Sequence, residues 1–289
     1  MTTNSRLRAF VEVAETGSVR AAAQRLFVTE SAVSAAITTL AREVGVPLME
    51  RNGRGVRLTG AGTLYANYAR TILGLHEQAT AAARDHGRPD KGQVRIAAVT
   101  TAGEHVLPRL LASFRAQHPR IQLSLEVAPR DRVWPMLTHH ETDVVVAGRP
   151  PDGFRGRLRA ISGNTLVVVG TPAGAEEFAP ERATWLLREL GSGTRATSLA
   201  LLGELDVEPR QLTLGSHGAV VAGAVAGLGV TLVSREAVAR HLESGQLVEL
   251  PMPRTPLERP WHAVTHTEPT ASTELLVRHL LGQGGWRPV

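Results

Sequence analysis

The chain has 289 residues, of which 43% are hydrophobic, and it contains no cysteine. This length suggests about two domains, and the apolar content is sufficient for real cores. The absence of cysteine excludes disulfides, thiolate nucleophiles and cysteine-ligated metal centres. Acidic residues interrupt the N-terminal segment, and no apolar run approaches the roughly 18–20 residues of a membrane span. We therefore expect a soluble cytoplasmic protein with no signal peptide and no membrane partner.

The net charge of +5 is concentrated at one end of the chain. Residues 1–62 hold eight arginines and five glutamates, and the remaining residues are nearly neutral. A small basic N-terminal segment followed by a nearly neutral chain is typical of a protein that binds a polyanion through that segment. A chance distribution of charge is the alternative.

The first sixty residues show the apolar spacing of three short helices separated by tight turns. Ser18 and Thr29 are suited to cap the second and third helices, and Gly17 and Gly45 end the helices that precede them. The second helix is rich in alanine, which allows close approach of its neighbours. The pattern predicts a helix-turn-helix at about residues 17–37.

A hairpin is predicted directly after the third helix. Asn52-Gly53 lies between two short segments with apolar residues, and both residues tolerate the positive φ of a hairpin turn. Arg51, Arg54 and Arg57 lie on or beside it, as expected of a wing that contacts phosphates. Ordinary packing of an alanine-rich segment is the alternative to DNA binding.

A linker helix is predicted over residues 58–88, and apolar residues recur in it at alternating steps of three and four from residue 58 to residue 82. The positions are Leu58, Ala61, Tyr65, Tyr68, Ile72, Leu75, Ala79 and Ala82. This heptad pattern predicts a coiled-coil seam on a helical rod of roughly 40 Å, with Tyr65, Tyr68, Ile72, Leu75 and Ala79 at a dimer interface. A long helix packed on its own domain is the alternative.

From Val94 onward, strand-like and helix-like stretches alternate, which predicts an α/β domain over residues 92–289. Its first part reads as a βαβαβ unit with a parallel sheet. Segments rich in glycine and proline near Gly148–Pro151 and Pro260–Val264 predict two hinge crossings. Lobe I would then hold residues 92–149 and 262–289, and lobe II residues 150–261. The fold class is α+β and α/β multidomain.

Three strand-to-helix junctions combine hydroxyl groups with small residues. They are Thr100–Gly103, Ser192–Thr194 and Ser216–Gly218. Helix N-termini at the carboxyl ends of strands point N–H groups at a ligand, so these junctions suit a carboxylate, sulfate or phosphate. Arg149 and Arg195 are candidate charge partners. Plain N-capping is the alternative at each junction.

The stretch Leu7–Gly62 closely resembles the winged helix-turn-helix of the LysR-type transcriptional regulators. The matches lie in fixed register: Phe10, Gly17-Ser18, Ala22-Ala23, Leu26, Ala32-Val33-Ser34, Ile37, Leu40, Gly45, Leu48, Arg51, Leu58-Thr59 and Gly62. Later segments around Leu187–Arg195, Val225–Val230 and Gly245–Val248 resemble the effector domain of that family. Such domains are similar in fold to type 2 periplasmic solute-binding proteins.

One departure from the family pattern concerns recognition of DNA. Glu30-Ser31 stands where members of the family usually have Gln-Pro. A carboxylate at the start of the recognition helix repels phosphate but accepts a hydrogen bond from cytosine N4. We expect this change to alter base preference rather than fold.

The resemblance implies a regulator that binds double-stranded DNA at a palindromic operator and senses a small anionic effector in a cleft between two lobes. The DNA-binding residues would be Ser18, Thr29, Glu30, Ser31, Ser34, Ala35, Thr38, Arg51, Arg54 and Arg57. The effector-binding residues would be Thr100, Thr101, Ser192, Gly193, Thr194, Arg195 and His217. A dimer or tetramer is implied, with RNA polymerase as a further partner of an activator.

We expect no cofactor, no metal and no catalysis, because the Walker, G-x-S-x-G and H-E-x-x-H motifs are all missing. A solute-binding receptor, whose N-terminal module serves only dimerisation, is one alternative function. An enzyme is the other.

Overall fold

The structure, a computed structural model, describes residues 3–53, 55–85 and 89–289. The chain divides into two compact units. The first holds the N-terminal residues as far as Arg84 together with Thr138–Thr142, and the second holds Asp85–Leu137 and Asp143–Val289. None of the helices in the described ranges combines the length and apolar character needed to cross a membrane.

The first unit consists of helices and one hairpin. Its helices are α1 (Thr3–Thr16), α2 (Val19–Leu26), α3 (Glu30–Val44) and α4 (Gly60–Asp85), and its strands are β1 (Met49–Asn52) and β2 (Gly55–Leu58). The two strands pair antiparallel, with Asn52 opposite Gly55 at the turn. This arrangement confirms the predicted winged helix-turn-helix followed by a long helix.

Side-chain capping sets the ends of α2 and α3. Ser18 Oγ accepts a hydrogen bond from the Ala21 amide, and Thr29 Oγ1 accepts one from the Ala32 amide. Each bond satisfies an amide that the helix leaves without an intrahelical partner, a contribution of typically about 1 kcal/mol. Gly45 ends α3 at a φ of +83°, which glycine adopts at little cost.

Alanine side chains bring α2 close to its neighbours. Ala22 and Ala23 are buried with Ala9, Val33 and Ala36 in one apolar cluster. Larger residues at the two α2 positions would overpack this cluster, which typically costs about 1–3 kcal/mol. The helix-turn-helix therefore presents α3 as a rigid element.

One face of α4 completes the core of the first unit. Ala66 and Ala69 are buried beside Phe10 and Leu48. The ring of Tyr65 meets the ring of Phe10 edge-on, with centroids 5.6 Å apart. The long helix is thus fixed to the DNA-binding module along its first half.

The second unit alternates strands with helices. In chain order these are β3 (Gln93–Ala98), α5 (Leu107–Gln117), β4 (Gln122–Val127), α6 (Arg130–Thr138), β5 (Val144–Ala147), β6 (Arg157–Ser162), β7 (Thr165–Gly170), β8 (Trp185–Leu187), α7 (Gly193–Glu204), β9 (Gln211–Thr213), α8 (His217–Val225), β10 (Thr231–Ser234), α9 (Ala239–Glu243), β11 (Val248–Glu249), β12 (Leu257–Glu258), β13 (Trp261–Thr265), α10 (Ala271–Gly282) and β14 (Trp286–Pro288). A π-helical turn, Ala102–Val106, joins β3 to α5.

Two sheets define two lobes. The first has the strand order β14-β6-β13-β5-β3-β4, and β3 is parallel to both β4 and β5, which confirms the predicted βαβαβ unit. The second is centred on β7, to which β10, β11 and β12 pair antiparallel, and β8 and β9 form a short parallel pair beside it. Each lobe has its own apolar core.

The first crossing between the lobes differs from the predicted position. β6 pairs with β13 in the first sheet, so the chain leaves that sheet at Gly163-Asn164 and not near Gly148–Pro151. The predicted start of lobe II at residue 150 is therefore wrong. The loop rich in glycine and proline before β6 only leads to another strand of the same sheet.

The return crossing lies at Arg259-Pro260, at the beginning of the segment predicted for it. The two crossings lie side by side. The Arg259 amide donates to the Asn164 carbonyl and Asn164 Nδ2 donates to the Arg259 carbonyl, both at 2.8 Å. Ser234 Oγ donates to Asn164 Oδ1 at 2.7 Å, which fixes the amide group in turn.

Candidate DNA-binding surface and ligand cleft

The outer face of α3 is polar and accessible. The inner face is buried at Val33, Ala36 and Leu40. The predicted DNA-contacting positions of this helix and its cap are all exposed: Thr29, Glu30, Ser31, Ser34, Ala35 and Thr38. An exposed helix face of small hydroxyl residues fits the major groove, where such side chains reach base edges.

Some of these hydroxyls already have partners. Thr29 Oγ1 lies 3.0 Å from Ser31 Oγ, and Thr38 Oγ1 donates to the Ser34 carbonyl at 2.9 Å. Glu30 lies in the first turn of α3, where the helix dipole stabilises a carboxylate. Ser18 is half-buried and caps α2, so the role that the structure shows for its hydroxyl is to stabilise the start of that helix.

Phe27 stands out at the turn between α2 and α3. It is 94% exposed and has a φ of +54°, an uncommon conformation for a bulky residue. The sequence patterns assign this residue only to a turn, because helical spacing marks buried residues and says nothing of an exposed aromatic. Its position beside the N-terminus of α3 adds an apolar contact to the candidate DNA-binding surface.

The hairpin carries exposed cations. Arg51 and Arg57 are exposed, and Arg57 Nε lies 2.7 Å from Glu50 Oε1. Arg54 lies outside the described residues. The Val56 amide donates to the Gly17 carbonyl at 3.0 Å, which ties the hairpin to the turn before α2.

We predict that Arg51→Ala weakens binding of every duplex by a similar factor, because a phosphate contact carries no base information. A plot of log affinity against log salt concentration has a negative slope, and its magnitude should decrease by about 1. Fluorescence anisotropy at several salt concentrations measures both quantities. Arg240→Ala, which removes an exposed arginine of the second unit, is the matched control. A changed base preference with an unchanged slope would show that the wing reads bases.

The face of α4 that turns away from the core is apolar. Leu64, Tyr68, Ile72 and Leu75 are 61%, 63%, 49% and 45% exposed and follow one another at helical spacing. Ala79 is also exposed, whereas Tyr65 packs on Phe10 inside the first unit. Tyr65, which the heptad pattern assigns to the seam, is thus half-buried in the single chain, and Leu64 is the exposed apolar residue next to it.

A cleft between the two lobes of the second unit contains most of the predicted effector residues. It encloses about 480 Å³, including space open to solvent. Its lining includes Thr100, Thr101, Ser192, Gly193 and Thr194. The first two come from the end of β3 and the others from the N-terminus of α7, so hydroxyls and helix amides face the space from both lobes.

Two arginines that no sequence pattern identified supply positive charge. Arg130 and Arg259 line the cleft, and the Arg259 guanidinium has no hydrogen-bonding partner among the residues that the structure describes. Burial, together with the nearby charge of Arg130, lowers the pKa of Arg259. A Cβ at Gly193 would lie 2.8 Å from Arg259 Nη2, so the absent side chain makes room for this guanidinium.

Two further residues of the lining carry donor groups. Trp261 lines the cleft, and its buried Nε1 has no hydrogen-bond partner among the described residues. Thr101 also belongs to the lining, and its hydroxyl makes no capping bond. A buried donor without a partner is costly, so a ligand oxygen that reached Trp261 Nε1 would be stabilised there.

The third arginine in the lining is already neutralised. Arg188 forms a bidentate pair with Glu189, at 2.8 and 2.6 Å, and donates to Thr100 Oγ1 at 3.1 Å. Burial alone would raise the pKa of Glu189, but hydrogen bonds from Arg188 outweigh it and the pKa is lowered. The bond to Thr100 connects the two lobes, and the pairing with Glu189 leaves Arg188 without a free charge.

Two predicted effector residues lie elsewhere. The Arg195 guanidinium donates to the Arg188 carbonyl at 2.8 Å and to Thr213 Oγ1 at 3.0 Å, and it is absent from the cleft lining. His217 lines a different pocket with His105. Both assignments to the cleft are corrected: the hydrogen bonds of Arg195 hold its guanidinium away from the cleft, and the N-terminus of α8 lies at the other pocket. Arg149 also stays outside the lining.

A winged helix-turn-helix joined by a long helix to a two-lobed domain with a polar cleft defines a ligand-responsive transcription factor. Residues 5–63 match the family model "Bacterial regulatory helix-turn-helix protein, lysR family", and residues 87–284 match "LysR substrate binding domain". The chain belongs to the LysR family of bacterial transcriptional regulators and binds DNA through its N-terminal unit.

Individual relatives agree with this assignment. The HTH-type transcriptional activator CmpR of Synechocystis sp. is 31% identical and covers 88% of this chain and 86% of its own. The RuBisCO operon transcriptional regulator of Acidithiobacillus ferrooxidans is 31% identical, with 89% and 86% covered. The CcmR regulatory domain of Synechocystis, solved in complex with 2-PG, is 26% identical at a TM-score of 0.58 and covers 64% of this chain and 96% of its own. These relatives are regulators rather than enzymes.

Proposed function

We propose that this regulator senses a small multivalent anion in the interlobe cleft and thereby controls its affinity for a palindromic operator. The convergence of Arg130, Arg259, Thr101 and Trp261 on one cavity carries the proposal. The described cleft lining contains arginines and no carboxylate, so it favours negative charge. The CcmR domain, which was solved with 2-PG, makes that compound the first probe to test.

The anion acts as a signal and not as a substrate. The cleft offers donors for binding, and arginine side chains keep their protons at neutral pH and provide no general base. We propose that the bound compound is released unchanged and that the protein needs no cofactor. Incubating the protein with a bound anion and recovering that anion intact tests this point.

Assembly and DNA binding follow from the first unit. We propose that the exposed stripe Leu64, Tyr68, Ile72, Leu75 and Ala79 pairs two chains, and that two α3 helices then read half-sites about one helical turn apart or a multiple of it. The second units would pair again in a tetramer. An activator would in addition contact RNA polymerase. The cytoplasm is the proposed location.

The domain division rests on the same observations. We propose a DNA-binding domain over residues 1–62, a linker helix over 58–88 and an effector domain from residue 92, in which lobe II spans about residues 163–260. Anion binding closes the lobes about the two crossings. A ligand shifts such an equilibrium only by its differential affinity for the two arrangements, typically about 1–3 kcal/mol of coupling.

The decisive experiment measures binding and response together. Inorganic phosphate, sulfate and 2-PG are titrated into the full-length protein by calorimetry, with glycerol as a neutral control. The operator is recovered by selection from random duplexes, and its affinity is measured with and without each anion. Saturable binding of one anion per cleft together with a changed operator affinity supports the proposal. Binding of neutral and anionic probes alike would contradict it.

We predict that Thr101→Val abolishes the response to the identified anion and leaves operator affinity without the anion nearly unchanged. The substitution keeps the shape of the side chain but removes a donor from the cleft, which typically costs about 1–3 kcal/mol. Thr194→Val should act in the same direction. Thr197→Val, one turn further along α7 and outside the cleft lining, is the control. A normal response in both cleft variants would show that the anion binds elsewhere.

A further inference from the structure

A second pocket of the effector domain brings together three metal-ligating side chains. Glu104 and His105 lie on the π-helical turn after β3 in lobe I, and His217 begins α8 in lobe II. Their ligand atoms all lie within 4.8 Å of one another. They line a surface pocket of about 850 Å³, including open solvent, which is distinct from the interlobe cleft.

Each of the two histidines has a ring nitrogen without a hydrogen-bond partner among the described residues. His105 Nε2 and His217 Nε2 are both buried and have no hydrogen-bond partner among the described residues. The side chain of His217 as a whole is 5% exposed, and the two rings meet edge-on with centroids 5.4 Å apart. A buried polar nitrogen without a partner costs free energy, and a metal ion is one group that would satisfy both nitrogens at once.

The spacing fits a small coordination sphere. Donor atoms around a tetrahedral zinc ion, with bonds of about 2.0–2.1 Å, lie about 3.3 Å apart. His105 Nε2 lies 3.9 Å from Glu104 Oε2, and Glu104 is exposed and free to change rotamer. Short π-helical turns occur frequently at functional sites, and this turn brings two of the three ligands.

The cluster contains one carboxylate, that of Glu104, which attracts a cation. Arg188 is a permanent positive charge that acts on His217, and its guanidinium is held in a bidentate pair with Glu189.

We propose that Glu104, His105 and His217 bind one divalent transition-metal ion, Zn²⁺ or a cation of similar ligand preference, between the two lobes. Two imidazoles and one carboxylate are a ligand set that zinc uses, with a water in the fourth position. Because the ligands come from both lobes, the ion holds the lobes together at a point outside the anion cleft. The proposal is independent of the identity of the anion.

Metal binding is tested on the full-length protein without an affinity tag. Zn²⁺ is titrated by calorimetry, and Co²⁺ is followed by the visible absorption that tetrahedral coordination with nitrogen ligands produces. We expect one equivalent of metal per chain. His105→Ala and His217→Ala should each lower the affinity by about tenfold or more, and Glu104→Gln should lower it in the same direction.

The control separates this site from other histidines. His241→Ala removes an imidazole from the wall of the same pocket that lies outside the three-residue cluster, and it should leave metal affinity unchanged. Circular dichroism checks the fold of each variant, and Glu104→Gln decides the matter if the buried His217→Ala does not fold. Equal affinity in the wild type and the cluster variants, or no stoichiometric binding in the wild type, overturns the proposal.

Discussion

Arg259→Gln is expected to lower the affinity of the cleft for its anion by between about 10- and 100-fold, since a hydrogen bond to a charged group typically contributes about 1.5–3 kcal/mol. The same variant should be at least as stable as the wild type without anion. Burial and Arg130 both disfavour the charged form of Arg259, so a neutral side chain relieves an unfavourable interaction in the free protein. Calorimetric titration and thermal unfolding measure the two effects.

Arg195→Gln is the matched control and should show the opposite behaviour. Its guanidinium donates to the Arg188 carbonyl and to Thr213 within lobe II, outside the cleft. We expect unchanged anion affinity and reduced stability. If Arg259→Gln kept full affinity, or lost affinity only together with stability, the guanidinium would have a structural role and the cleft would bind its ligand through other groups.

Leu75→Asp is expected to separate the paired chains and to reduce operator affinity by about 10²–10⁴, the gain that linking two binding modules typically provides. Leu75 is 45% exposed in the single chain and would be buried in a seam, where an unpaired carboxylate is costly. Analytical ultracentrifugation and binding to a full operator measure the change. Binding to an isolated half-site should be nearly unaffected.

The control adds the same charge to the same helix. Asn67→Asp is nearly isosteric and alters an exposed position outside the stripe, so oligomeric state and operator affinity should be retained. Unchanged assembly in Leu75→Asp would rule out the stripe on α4 as the dimer interface. The alternative of a helix that packs only within its own chain would then be favoured.

The sequence predicts the first unit well because its signals are local. Helical spacing, the caps Ser18 and Thr29 and the Asn52-Gly53 turn each act within a few residues. The heptad pattern illustrates the limit of such signals. Tyr65 satisfies the spacing of a seam, but the residue also lies at the edge of the face that packs on Phe10, and periodicity alone does not separate two adjacent apolar faces.

The cleft was only half predictable. Thr101 and Ser192–Thr194 follow from the rule that ligands lie beyond the carboxyl ends of parallel strands. Arg259 and Trp261 have no such signal, because they reach the cleft through the return crossing between lobes. The first crossing was placed too early because β6 follows a loop rich in glycine and proline that resembles a linker, while the pairing of β6 with β13 is a long-range contact without a local signal.

The paired crossings define an axis for the proposed closure of the cleft. Because Asn164 and Arg259 exchange two hydrogen bonds, rotation of the lobes about this line would cost less than sliding of one lobe past the other. Arg259 lies at the crossing and would keep its place in both arrangements. An incoming anion would then meet its first arginine in the open form, and the helix N-terminus of α7 would reach it afterwards. Binding to Arg259 in the open form would then set the association rate of the anion, and closure of the lobes would set its dissociation rate.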